Sequence, residues 1–208
     1  VNLVRIDGDP VCLRDWNSAL LSDLPDLLDP TRPWHDTNGP YFGRMTEAEA
    51  AEQVRRTGEL AALPAIERET PRRRLAVMET ATGRLVGEVS WYWESQETDW
   101  RRLGVLIYDE TCWGRGYGTE ALRLWTGYLF ASTDALRLDY ATFSGNPGMI
   151  ATGRKLGFVE EGRFRRARRW AGGVHDSVVL GVLREEWVER HSLPDVDGWP
   201  DPKECTEG

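Results

Sequence analysis

Apolar residues recur along the chain at two periods, and the elements follow from where each period starts and stops. Val11-Cys12-Leu13 is a short apolar run, and Trp16, Ala19, Leu20, Leu24 and Leu27 then recur near helical spacing. Residues 1–30 therefore predict a strand followed by a short helix. Residues 30–43, rich in Pro, Asn and Asp, read as a loop. Its aromatics Trp34, Tyr41 and Phe42 either plug it locally or wall a substrate pocket. Thr46-Glu47-Ala48-Glu49 has the capping-box pattern, which predicts a helix from an N-cap at Thr46 to about Gly58. The run Arg72-Arg73-Arg74 reads as the solvated entry to a strand.

Strands dominate the rest of the chain. Leu75–Met78 and Leu85–Trp93, joined through Thr82-Gly83, predict a hairpin, and Leu103–Tyr108, Leu136–Phe143 and Ser177–Leu183 predict three more strands. A helix starting near Thr119 carries Ala121, Leu122, Leu124, Trp125, Tyr128 and Leu129 on one stripe. Another runs from Pro147 to Leu156 and stops at Gly157. This order predicts an α/β (α+β) domain over residues 1–192, with helices flanking a mixed, mainly antiparallel central sheet. Residues 193–208, proline-rich and acidic, predict a flexible tail.

Composition narrows the class. The 208 residues are 40% hydrophobic and 29% charged, enough for one buried core. No apolar run reaches a membrane span and the first residues lack a secretory pattern, so a cytoplasmic protein with no membrane partner is expected. Cys12, Cys112 and Cys205 lie far apart, without metal-type spacing to any His, so reduced thiols and no metal are expected. The net charge of −8 disfavours DNA and slightly favours a cationic partner.

The most informative stretch is Trp113-Gly114-Arg115-Gly116-Tyr117-Gly118-Thr119-Glu120-Ala121. Alternating glycines between a strand and an amphipathic helix permit positive φ and close approach by a ligand. The unpaired amides of the first helical turn then form a cradle for a phosphate or pyrophosphate. A Walker loop would need Gly-Lys-Ser/Thr, and a dinucleotide fold needs GxGxxG early in a βαβ unit; neither is present.

This stretch resembles the pyrophosphate motif of the GNAT acetyltransferase superfamily, with its Gly-x-Gly part at Gly116 and Gly118 and with Trp113 in the usual Gln/Arg slot. A second block resembles the RimJ/RimL-like branch in order and spacing: Asn146-Pro147-Gly148-Met149-Ile150, Lys155-Leu156-Gly157-Phe158, Glu161-Gly162, Asp176, and Leu183 to Trp187. The resemblance implies a V-shaped slot between strands 103–108 and 136–143, with acetyl-CoA as co-substrate. Pantetheine would pair with the backbone of Leu106, Ile107 and Tyr108 and with Asn146. The pyrophosphate would rest on Arg115, Gly116, Tyr117, Gly118 and Thr119. A homodimer is implied as well.

The implied acceptor is a primary amine, first of all a protein or peptide α-amino group. Such an amine has a reference pKa of about 7.7–8.0 against about 10.4 for lysine, so it is largely neutral near pH 8. The alternatives are a small cationic amine (an aminoglycoside or polyamine) and a non-catalytic acyl-CoA-binding module. Three groups implied by the resemblance are missing, because the family's general-acid Tyr falls on Gly153, a Ser position on Met149 and an acidic position on Arg168. Glu94 at a strand end, Tyr108 beside the thioester and Ser144 next to Asn146 are the catalytic candidates, unless ordered water is the base. Trp34 and Trp100 are candidate acceptor-site walls, whereas Trp91, Trp93 and Trp125 read as core. Arg163–Trp170 reads as a nucleic-acid or ribosome contact, as a solvated strand face paired with acids, or as a contact for an acidic substrate, which would count against a polyamine.

Overall fold

A computed structural model describes residues 3–194. Among the described residues eight strands form one sheet in the order β1-β2-β3-β4-β5-β6-β8-β7. They are β1 (Arg5–Ile6), β2 (Val11–Arg14), β3 (Arg74–Glu79), β4 (Leu85–Ser95), β5 (Trp100–Ile107), β6 (Arg137–Phe143), β7 (Val159–Trp170) and β8 (Gly173–Leu183). All neighbours are antiparallel except β5 and β6, which are parallel. The helices are α1 (Leu24–Leu27), α2 (Trp34–Phe42), α3 (Glu47–Ala62), α4 (Tyr117–Ser132), α5 (Pro147–Leu156) and α6 (Arg184–Arg190).

Alternation along the strands feeds two cores, one on each face. Val89, Trp91, Leu103, Leu138, Leu180 and the stripe of α4 build the larger. Cys12, Ala76, Leu85 and Tyr108 meet Trp34 and the first helices in the smaller. Both capping signals act as the sequence predicts. Thr46 Oγ1 accepts from Glu49 N (3.2 Å) while Glu49 Oε2 accepts from Thr46 N (2.8 Å). Gly157 ends α5 at φ +94°.

Three readings of the sequence need correction. The segment expected as a loop over 30–43 contains α2, because Trp34 anchors it: its indole is buried and donates to Leu27 O (2.8 Å). α3 passes through Gly58 to Ala62, since a mid-helix glycine costs only about 1 kcal/mol and Leu63-Pro64 supplies the stop. Arg72-Arg73-Arg74 is not a solvated entry. Arg72 and Arg68 both pair with the buried Asp15, at 3.0 and 3.3 Å, and Arg74 pairs with Glu88. Of the triplet only Arg73 is exposed, Arg74 being half-buried and Arg72 buried. Apart from Leu193 and Pro194, the expected tail lies outside the described residues, as does Cys205.

Candidate active site

β5 and β6 meet at a single pair, Arg102 opposite Asp139. Asp139 is fully buried; its carboxylate accepts from Arg102 Nε (2.9 Å) and from Trp100 Nε1 (2.6 Å), which pins the vertex. Beyond it the strands diverge, each still paired with its outer neighbour, β4 or β8. The facing backbone edges of β5 and β6 are thus left without a strand partner, and a slot of about 300 Å³ opens between Gly104–Leu106 and Tyr140–Thr142. Thr37, Tyr41 and Phe42 of α2 roof it.

At one end the slot reaches a cavity of about 500 Å³ over the glycine turn. Gly114 (φ +69°) and Gly116 (φ +91°) adopt the left-handed conformation that only glycine takes cheaply. A Cβ on either would meet nothing within 4 Å, so the space above the turn is open. The first helical bond of α4 runs from Glu120 N to Gly116 O (2.9 Å), which leaves the amides of Tyr117, Gly118 and Thr119 at the positive end of the helix. The Tyr117 side chain turns away into the protein and donates to Glu79 (2.5 Å). Thr119 Oγ1 lies 3.4 Å from Thr152 Oγ1, linking α4 to α5. Arg115 is exposed, with its guanidinium over the Tyr117 ring. Lys155 also lines this cavity. The sequence reading met it only within the Lys155-Leu156-Gly157-Phe158 block and gave it no role at the site, though it is one of only two lysines in the chain.

Asn146 stands where the slot and this cavity meet. Its Oδ1 caps α5 by accepting from Met149 N (3.1 Å), and its Nδ2 donates to Thr37 O (3.3 Å). An amide NH2 has two hydrogens, so one donor remains. Leu106 and Ile107 lie along the free edge of β5 and line the glycine cavity.

At the other end Tyr41, Tyr92 and Ala141 border both the slot and a cavity of about 830 Å³. Glu94, two residues beyond Tyr92 on the same face of β4, lines that cavity and pairs with Arg102 (2.7 Å). The charges continue as a chain: Arg102 to Asp139, Asp139 to Arg137 (3.0 Å), and Arg137 to Glu161 (2.5 Å). Tyr41 Oη donates to Thr142 O (2.5 Å) and lies 3.1 Å from Ser177 Oγ. Partial burial pushes the Tyr92 phenol above its ordinary pKa, with Arg102 opposing the shift, so it stays protonated at neutral pH.

Of the catalytic candidates, only Glu94 reaches these cavities. Tyr108 lies in the smaller core against Trp34, with ring centroids 5.1 Å apart. Burial drives its phenol far above the ordinary range, and its side chain points away from the slot, which corrects the role expected for it. Ser144 forms a turn instead: its Oγ accepts from Asp176 N (3.0 Å) and lines none of the three cavities. Trp34 is likewise buried away from the acceptor end, whereas Trp100 lines it. The glycine at 153 has a physical cause, because a Cβ there would lie 1.9 Å from Tyr140 Oη, which donates to Met149 O. Tyr41, which the sequence offers as either a local plug or a pocket wall, lines both spaces, whereas Tyr92 went unrecognised because its place in the strand carries no sign that α2 crosses the slot beside it.

A splayed mixed sheet with a glycine cradle at a helix head defines a fold of the N-acetyltransferase class. The chain belongs to the GNAT family, whose domain model, Acetyltransferase (GNAT) domain, matches residues 11–159. It is 30% identical over 105 residues to the protein named "Putative ribosomal N-acetyltransferase YdaF" of Bacillus subtilis (strain 168), covering 50% of this chain and 57% of that protein. The chain spans about half the length of the curated relatives it matches. Its fold is similar to that of ribosomal-protein-S5-alanine acetyltransferase from Vibrio fischeri, with TM-score 0.69 and 16% identity over 88% of this chain and 98% of that one. It is also similar to spermidine N-acetyltransferase from Vibrio cholerae, solved with CoA and spermine, with TM-score 0.65 and 17% identity over 87% and 99%. Among the described residues no group of His, Cys, Asp and Glu is arranged to hold a metal ion, and no helix is long and apolar enough to cross a membrane.

Proposed function

We propose that this protein transfers the acetyl group of acetyl-CoA to a primary amine, with an α-amino group of a protein or peptide as the first acceptor class. The supporting observation is continuity: an open glycine cradle, an unpaired strand edge and a cavity holding a carboxylate follow one another along a single slot. The residues fit the co-substrate. The amides of Arg115 to Thr119 would hold the pyrophosphate, with Lys155 as an adjacent cation. The edge of Leu106 and Ile107 and the free donor of Asn146 would hold the pantetheine arm. Acetyl-CoA supplies an activated acyl group as a thioester.

The chain's own residues then manage the protons. Glu94, held in place by Arg102, accepts a proton from the incoming amine. As the amine nitrogen bonds to the acetyl carbonyl carbon and the C–S bond breaks, Tyr92, kept protonated by its surroundings, would donate its phenol proton to the leaving thiolate sulfur. Tyr41 roofs the junction and limits water. An α-amine suits this arrangement because it is substantially neutral near pH 8 and asks little of the base. A polycationic acceptor is supported by the spermidine acetyltransferase likeness in fold alone. The cavity weighs against it, because Arg102, Arg137 and Arg168 balance Glu94, Asp139 and Glu161 and leave no excess negative charge.

Calorimetric titration with acetyl-CoA, followed by thiol release on adding peptides with free N-termini, tests the reading. Micromolar binding and amine-dependent release are expected. A folded protein that binds no acetyl-CoA would sink it.

A further inference from the structure

We propose that the acceptor carries a carboxylate close to its amine and that Arg168 binds it. This deepens the transferase reading above and rests on it. β7 contains five arginines, and four of them are exposed. Arg163 pairs with Glu160 (2.7 Å) and Asp176 (3.1 Å), and Arg165, Arg166 and Arg169 face solvent. The fifth, Arg168, is turned inward by a bulge. Pairing with β8 is lost between Phe164 and Arg168; Arg166 takes φ +56°, and its amide donates to Asp176 Oδ1 (2.8 Å). Bulges of this kind re-aim side chains beside functional sites.

The re-aimed guanidinium enters the acceptor cavity with its carbon 4.2 Å from the Tyr41 ring centroid. Among the described residues its one hydrogen bond is a long one, from Nη1 to Pro40 O at 3.5 Å, and its Nε is shielded from solvent without a partner. Every carboxylate in the cavity is engaged elsewhere: Glu94 by Arg102, Asp139 by Arg102 and Arg137, and Glu161 by Arg137. Among the described residues, Arg168 is the one cation of this cavity with no carboxylate partner. A planar fork of N–H donors, held over an aromatic ring with donors unmet, matches a carboxylate.

Position fixes the spacing. Tyr41 borders both the slot and the cavity, so an anion on Arg168 lies beside the junction where the amine must react, not at a distant subsite. The acceptor is therefore an amine with its carboxylate a few bonds away. A free α-amino acid supplies this chemistry, and so does a peptide beginning with an acidic residue. Polyamines and aminoglycosides do not.

Acetyl transfer is compared for alanine, alaninamide and ethylamine, and for amidated dipeptides beginning with Asp or Asn. Carboxylate-bearing acceptors are expected to exceed their neutral partners by about 30-fold or more in kcat/KM, the scale of a desolvated charge pair. Alanine over alaninamide assigns the free amino acid, and Asp over Asn assigns the peptide. In Arg168→Met the preference collapses, Arg168→Lys restores part of it, and acetyl-CoA affinity is unchanged in both. Equal rates for charged and neutral partners would overturn the proposal. If no amine turns over, the transferase reading fails, and binding then decides this one. Calorimetry of alanine, alaninamide and the dipeptides on the CoA-saturated protein must show carboxylate-dependent binding that Arg168→Met removes. Equal binding, or none, overturns it.

Discussion

At the cradle end of the slot the proposed contacts come mainly from contiguous backbone, Arg115 to Thr119 and the edge of β5. At the acceptor end they come from side chains delivered by five separate elements: Tyr41 from α2, Glu94 from β4, Arg102 from β5, Asp139 from β6 and Arg168 from β7. The first design depends on φ angles and on the dipole of α4, so one short glycine-rich motif specifies it. The second depends on how the sheet twists and where α2 crosses it. Its charges, Arg168 apart, form a linear chain from Glu94 to Glu161, so a change at one position redistributes the partners of the others.

Asp139 pins the vertex from which β5 and β6 diverge and should give the largest effect. Asp139→Ala removes the buried carboxylate, leaves Trp100 Nε1 without its acceptor and leaves Arg102 and Arg137 with Glu94 and Glu161 alone, which should destabilise the fold by about 3 kcal/mol. Chemical denaturation would show a lower midpoint, and acetyl-CoA affinity and transfer should fall together. Loss of transfer with the midpoint unchanged would mean that the vertex is not structural. Gly116→Glu should separate the ends. It places a side chain and a negative charge at φ +91° over the cradle, so acetyl-CoA affinity should drop by at least about a hundredfold. Amine binding should survive, and wild-type acetyl-CoA affinity in this variant would remove the cradle from the site. Glu94→Gln should do the reverse, lowering kcat by about a hundredfold while the acetyl-CoA Kd is unchanged. A loss under about tenfold would return the proton to solvent.

The same contrast explains how much of the molecule was legible in its sequence. Local signals worked: the Thr46 box, the glycine turn, and α5 from Pro147 to Gly157 are each encoded within a few residues. Glu94 was offered because it lies at the end of a strand expected to reach the slot, and it lines the cavity that adjoins the slot. Tyr108 was misread because alternation says nothing about where a strand ends. β5 stops at Ile107, and the next side chain drops under α2, itself read as loop because Pro and Asn dominate its composition. The buried state of Arg72 depends on Asp15, 57 residues away, and no window of sequence contains that pairing. The inward turn of Arg168 depends on a bulge whose anchor, Asp176, belongs to the neighbouring strand.

The smallest change asks whether the two ends are separable where they touch. Tyr41 donates to Thr142 O and contacts Ser177 while its ring supports Arg168, so one side chain ties α2 to β6, β7 and β8. Tyr41→Phe keeps the ring and removes only the hydroxyl. The loss of this partly buried hydrogen bond should cost about 1 kcal/mol of stability. If the roof serves the acceptor, KM for the amine should rise a few-fold while kcat and acetyl-CoA affinity stay near wild type, because the cradle amides do not depend on it. If acetyl-CoA affinity falls as far as amine affinity, α2 clamps the pantetheine channel as firmly as the acceptor cavity. The slot would then be one cooperative unit, not two ends built by different means.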